Sequence, residues 1–254
     1  MIDGGTGTER LVTDGRAGRA GGGGDAHAAG GGRGSPDDLV RVMLRPIASS
    51  APLAFFAFGV GTVLYTALQL QWVPLAQAEP LTVILLAFVA PLEIITGLIA
   101  FAARDGGLAT IMLMFGAVWT SIAITMRLSP PGGRSAMLGI FLLTVAAMLV
   151  AMSSASARTR PLLFVLALLA ATRFTLSGVY EINGSTAVEH ASGWVGIPIV
   201  AIALYAGTAF LLEDTMRRTV LPVARRRTAR TAIEGDLSQQ VQRVTQEAGV
   251  RQQL

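Results

Sequence analysis

The sequence predicts an all-α integral membrane protein, a bundle of six transmembrane helices with both termini on the cytoplasmic side. Three observations predict it. The 254 residues are 52% hydrophobic and only 14% charged, with a mean hydropathy of +0.57, too apolar for an ordinary water-soluble domain. Between Pro52 and Leu212 lie six apolar runs, each near the ~20 residues that cross a ~30 Å hydrocarbon core. Arginine is spread unevenly over the connections, as it is where cytoplasmic loops accumulate positive charge. A soluble helical domain is the alternative, but such domains seldom carry so many runs of this length.

Residues 1–51 form an arm. Up to Ser35 it is Gly-rich with scattered Arg and Asp, a composition that buries too little to offset ordering entropy and is expected to be disordered. It lacks the apolar core of a signal peptide. Leu39 to Pro46, with Arg41 and Arg45, is expected to form a short interfacial turn. The membrane domain, 52–213, holds spans at Pro52 to Leu70, Leu81 to Ala103, Leu108 to Leu128, Met137 to Ser153, Pro161 to Tyr180 and Trp194 to Leu212. In the tail, 214–254, Ile233, Leu237, Val241 and Val244 are spaced for an amphipathic helix.

Orientation follows from arginine. The connections Gln71 to Pro80 and Glu181 to Gly193 contain none, whereas Arg104, Arg158, Arg160, Arg217, Arg218 and Arg225 to Arg227 fall on the other side; only Arg127 and Arg134 oppose the assignment. All 20 basic residues are Arg, and the net charge is +4. Lying in tails and short loops, they give no folded basic face for nucleic acid.

Two ionisable residues fall inside spans, Glu93 and Arg173, and each costs about 2.5 to 3.5 kcal/mol near a helix centre. Counting 1.5 Å per residue places them roughly 6 Å apart in depth. They are expected either to form a structural ion pair between spans two and five, or to act along a permeation path, Arg173 attracting carboxylate and Glu93 titrating protons. Phe58, Phe115 and Leu169 come out at similar depth, roughly 9 to 12 Å from the inner face, where inward rings would make an apolar constriction; packing or lipid contact is the ordinary role of such residues. Gly59, Gly61, Gly97, Gly193, Gly196 and Gly207 favour close helix approach, and Pro91 and Pro198 are expected to kink spans two and six.

Enzymatic chemistry finds little footing. With no Cys there is no thiol nucleophile or thiolate site. Ser177 with His190 lacks the glycine two residues before the serine, and His190 is expected in an outer loop. No His, Asp and Glu cluster has metal-ligand spacing, so neither a metal nor a cofactor is expected.

From Ser49 to Pro222 the chain resembles the acetate uptake transporter family, which includes succinate-acetate permeases. The family's opening signature, Asn-Pro-Ala-Pro-Leu-Gly-Leu and then a Phe-Gly pair, is similar to Ser49-Ser50-Ala51-Pro52-Leu53-Ala54-Phe55 and then Phe58-Gly59. Gly97-Leu98, Gly107, Phe115-Gly116 and Trp119 follow in order, then Ser192-Gly193-Trp194-Val195-Gly196 and Arg218-Thr219-Val220-Leu221-Pro222. The resemblance implies a homohexamer of six-helix protomers, each with its own proton-linked path for acetate, succinate or similar small carboxylates. It implies a Phe, Tyr and Leu constriction that falls on Phe58, Phe115 and Leu169, with Phe115 lacking the tyrosine hydroxyl. Glu93 stands where relatives often carry Gln, and Arg173 has no charged counterpart. A pore for small neutral solutes such as urea or short amides, and a non-transporting membrane scaffold or sensor with a basic cytoplasmic tail, are the alternatives the sequence leaves open.

Overall fold

The computed structural model describes residues 47–158, 160–216 and 218–225. The expected interfacial turn before Pro46 and the tail helix after Ala232 lie outside these residues. The described residues are helical with no strand, and six helices are long and apolar enough to cross a membrane. The chain is a multi-pass membrane protein. In lipid every backbone N–H and C=O must be satisfied within the segment, and a helix does so without help from neighbours.

Helix α1 is Ala51–Gln69, with Pro52 in the first turn, where its missing N–H costs nothing. The second span is composite: a 3₁₀ turn Leu75–Gln77, α2 Ala78–Ile84, a π-helical turn Leu85–Val89 and α3 Ala90–Ala102. It starts at Leu75 and not Leu81, because Pro80 sits in the opening turn of α2, where proline is tolerated. Pro91 lacks the N–H that a regular turn would use, and the wide turn just before it, closed by the Ala90 N–H on the Leu85 carbonyl, keeps the span continuous.

Helices α4 (Gly106–Leu128) and α5 (Ala136–Ser156) begin with side-chain caps. Asp105 Oδ1 accepts from the Leu108 N–H at 3.1 Å and Ser135 Oγ from the Leu138 N–H at 3.3 Å. Helix α6 (Pro161–Asn183) stops at Gly184, whose φ of +71° only glycine adopts cheaply. Then α7 begins at Thr186 and runs 31 residues to Met216. The expected outer loop from Glu181 to Gly193 is therefore only a tight turn. His190 lies on α7, and that helix, about 46 Å long at 1.5 Å per residue, outreaches a ~30 Å hydrocarbon core.

Helices pair antiparallel as α1 with α7, α3 with α4, and α5 with α6. Glycines set the approach. A Cβ on Gly97 would lie 2.6 Å from the Leu113 side chain and 3.1 Å from the Ala109 carbonyl, and one on Gly116 would lie 2.6 Å from Ile94 and 3.1 Å from the Ala90 carbonyl. Backbone stands against backbone there, the small-residue packing that substitutes for a hydrophobic drive in lipid. Large apolar side chains outside these seams, among them Leu98, Phe101, Ile140 and Val150, are exposed on the perimeter.

The connections at one end include Leu70–Pro74 and Gly184–Ser185; at the other, Arg160 pairs with Asp105 at 3.8 Å. On that second end the closing segment folds back on α7. The Tyr205 hydroxyl donates to the Pro222 carbonyl at 2.8 Å, Val223 is buried, and Arg225 pairs with Glu213 while covering the Phe210 ring.

Gly97→Val should cost about 1–3 kcal/mol by overpacking the α3–α4 seam, seen as a lower melting temperature in detergent. Gly106→Ala, where a Cβ meets nothing within 4 Å, should leave the melt unchanged.

Candidate functional site

A narrow cavity lies inside the bundle, bounded by Phe58, Thr62 and Tyr65 of α1, Trp119 and Ile122 of α4, Leu142 of α5, Ala170, Arg173, Phe174 and Ser177 of α6, and Ile199 of α7. Positions 58, 62 and 65, and 170, 173, 174 and 177, are spaced three and four apart, so each helix offers one continuous face. A wider mouth adjoins it toward the end bearing Gly184, lined by Tyr65, Gln69, Pro131, Tyr180, Glu181 and Glu189 among others. Tyr65 lines both spaces.

The far end of the cavity is closed by aromatic rings. Phe58 and Phe115 stack with centroids 4.8 Å apart and planes 11° from parallel. Phe174 lies tilted at 6.0 Å from Phe115, and Trp119 at 6.5 Å from Phe58. Such contacts are worth about 0.5–1.5 kcal/mol each beyond buried area. The structure thus brings Phe58 and Phe115 together. Leu169 is not part of the cavity lining: half-buried, it packs against the core that includes both rings, and its neighbour Ala170 lines the cavity instead.

Glu93 and Arg173 do not pair; neither has an ion-pair partner among the described residues. Similar depth is not adjacency, because α3 packs on α4 and α1 whereas α6 packs on α5 and α7. Glu93 is fully buried, and its Oε1 accepts from the Trp119 indole N–H at 3.2 Å. Its Oε2 has no hydrogen-bond partner among the described residues. The carboxyl group thereby fixes the indole that forms one cavity wall and leans on Phe58 and Tyr65.

Arg173, 5% exposed, sits in a polar cluster drawn from three helices. Its Nη2 donates to Gln69 Oε1 at 2.9 Å and its Nη1 to the Thr62 carbonyl at 3.4 Å, and its guanidinium lies 5.4 Å from the Tyr65 ring centre. Gln69 Nε2 in turn donates to Ser177 Oγ and Ser192 Oγ, both at 3.1 Å. These two hydroxyls share a 2.8 Å bond. Gly196 makes room for the group, since a Cβ there would lie 2.8 Å from Nη1 and would strike Thr66 Oγ1.

The glycine-tryptophan motif divides by direction. Gly193 packs on Leu70 and Gly196 on Thr66 and Arg173, while Trp194 faces outward, 64% exposed, at the end that also carries exposed Trp72, as interfacial tryptophans do. In the opening motif Ala51 and Pro52 are buried and Leu53 is partly exposed. Ser50 Oγ donates to the Thr96 carbonyl at 3.0 Å, tying α1 to α3. A Cβ on Gly59 would lie at ordinary contact, 3.6 Å, from the Ala203 side chain.

The family model described as GPR1/FUN34/yaaH matches residues 31–225. The chain belongs to that family. These are the acetate uptake transporters that the sequence motifs resemble. The fold is similar to the solved structure of the bacterial acetate channel SatP, with a TM-score of 0.62 and 22% identity, covering 69% of this chain and 98% of that one. Comparison with curated proteins finds no match.

Sequence reasoning missed Thr62, Tyr65 and Gln69, and met Ser192 only as a motif residue and Ser177 only as an improbable nucleophile. The spacing of Thr62, Thr66 and Gln69, four and then three residues apart, was the available signal: a polar stripe down one face of an otherwise apolar helix.

Glu93→Gln retains an acceptor oxygen for the Trp119 N–H and should preserve both the fold and the indole's environment. Glu93→Leu leaves that donor unpaired and should cost about 1–3 kcal/mol, read as a lower melting temperature with shifted tryptophan fluorescence.

Proposed function

We propose that the protein carries small carboxylates across the bacterial cytoplasmic membrane, the monocarboxylate acetate first and succinate second, linked to protons. The observation that carries this reading is the Phe58–Phe115 stack closing one end of a cavity whose other end meets a mouth between the helices. Family membership and the likeness to an acetate channel support it. A dry aromatic throat disfavours a bare carboxylate, which must give up its hydration there, and favours the neutral acid. The homohexamer that the family resemblance implies and the apolar perimeter are part of the same proposal.

Arginine counts support cytoplasmic termini: Arg104, Arg158, Arg160, Arg218 and Arg225 share one end of the bundle. The two arginines at the opposite end have local work. Arg127 lies 3.8 Å from Glu79, and Arg134 packs at Gly184. In this orientation the mouth opens outward and the aromatic stack lies on the cytoplasmic side of the cavity.

Labelled acetate uptake by proteoliposomes between pH 5 and 8 should rise as external pH falls, because the neutral fraction of the acid grows, and an inward proton gradient should raise it further. Uptake no greater than that of empty liposomes at every pH would end the reading, and competition by urea would redirect it to a pore for neutral solutes. Phe58→Ala should open the stack, increase acetate flux several-fold and admit urea, which the wild type should exclude.

A further inference from the structure

Arg173 is a cation buried in the bundle with no carboxylate within ion-pair distance among the described residues. A guanidinium has five N–H donors and stays protonated in proteins. Two of its donors are engaged, both by neutral oxygens, on Gln69 and on the Thr62 backbone. Neutral acceptors and a ring face orient the group without cancelling its charge. A charge left uncancelled in a low-dielectric interior attracts a small anion strongly. Ser177 lines the same cavity beside it, and Thr66, 1% exposed, with no hydrogen-bond partner for its Oγ1 among the described residues, lies against Gly196, the glycine that makes room for the guanidinium.

We propose that Arg173 and Ser177 form a binding site for one small monocarboxylate anion, placed between the outer mouth and the aromatic stack. As it stands the cavity has room for little more than a water, so the side chains around it move apart as the anion enters; the carboxylate then meets the guanidinium and the serine hydroxyl, and the short alkyl end faces Ile122, Leu142 and Ile199. A dicarboxylate would drive its second charge against those apolar walls with nothing to pair it, so the site separates acetate and formate from succinate. This rests on the carboxylate reading above for its choice of ligand, but capture at Arg173 and passage of the aromatic stack are separate steps that can fail separately. Gln69, which holds the guanidinium and both serines, is a positioning residue.

Thermal melts of the full chain purified in detergent, with acetate, formate, succinate or acetamide at matched ionic strength, test the site. Acetate and formate should raise the melting temperature of the wild type; acetamide, the neutral isostere, should not, and succinate should do so less than acetate. In Arg173→Gln the acetate response should vanish, in Arg173→Lys it should weaken, and Ser177→Ala should lower acetate affinity about tenfold. Equal shifts from acetate and acetamide in the wild type would overturn the site, even if no Arg173 variant folds; so would an undiminished acetate shift in Arg173→Gln. Acetate that stabilises the wild type but not Arg173→Gln supports the site even in a protein that moves no acetate. Uptake without any stabilisation by acetate overturns the site and leaves the transport reading standing.

Discussion

Close approach of antiparallel helices at glycine holds each working side chain at its depth. Lipid supplies no hydrophobic drive between helices, so the bundle depends on van der Waals contact along seams where no Cβ intervenes. The α1–α7 seam at Gly193 and Gly196 brings Gln69, Arg173 and Ser192 into one hydrogen-bonded group. The α3–α4 seam at Gly97 and Gly116 carries Glu93 to the Trp119 indole. Neither polar group would be tolerable in hydrocarbon if its seam loosened, because its partners sit on other helices.

The two buried ionisable residues illustrate how differently a membrane interior uses charge. Glu93 is turned away from the cavity and acts on it through an aromatic wall. Arg173 faces the cavity directly, restrained by an amide, a backbone carbonyl and a ring that leave its charge intact. Between the polar group and the stacked phenylalanines the lining is mostly apolar. Charge and apolar lining therefore lie at successive depths of one cavity.

Much of this was legible in the sequence, along one coordinate. Length and hydropathy located the six crossings, and residue counting put Phe58 and Phe115 at a common depth, where their rings do stack. Depth carries no information about neighbours across the membrane plane, so Glu93 and Arg173 looked like partners although α3 and α6 pack on different helices. Azimuth was equally hidden: each helical residue turns about 100°, so Ala170 lines the cavity while Leu169, one position earlier, does not. The polar stretch Glu181 to Gly193 read as a loop because hydropathy marks where lipid ends. The helix itself continues into the interface, interrupted only at Gly184–Ser185.

The wide turn at Leu85–Val89 has a consequence for the whole second span. A π turn inserts one residue, so everything beyond it is rotated by about 100° against an unbroken helix. The span nonetheless keeps one inward-facing stripe across the turn, through Leu85, Val89, Glu93 and Thr96, all four of them buried. Shortening the chain by one residue there would let the hydrogen-bond ladder regularise and swing the carboxyl group of Glu93 off the indole toward the acyl chains. A local accommodation to Pro91 therefore sets which way the acidic side chain faces.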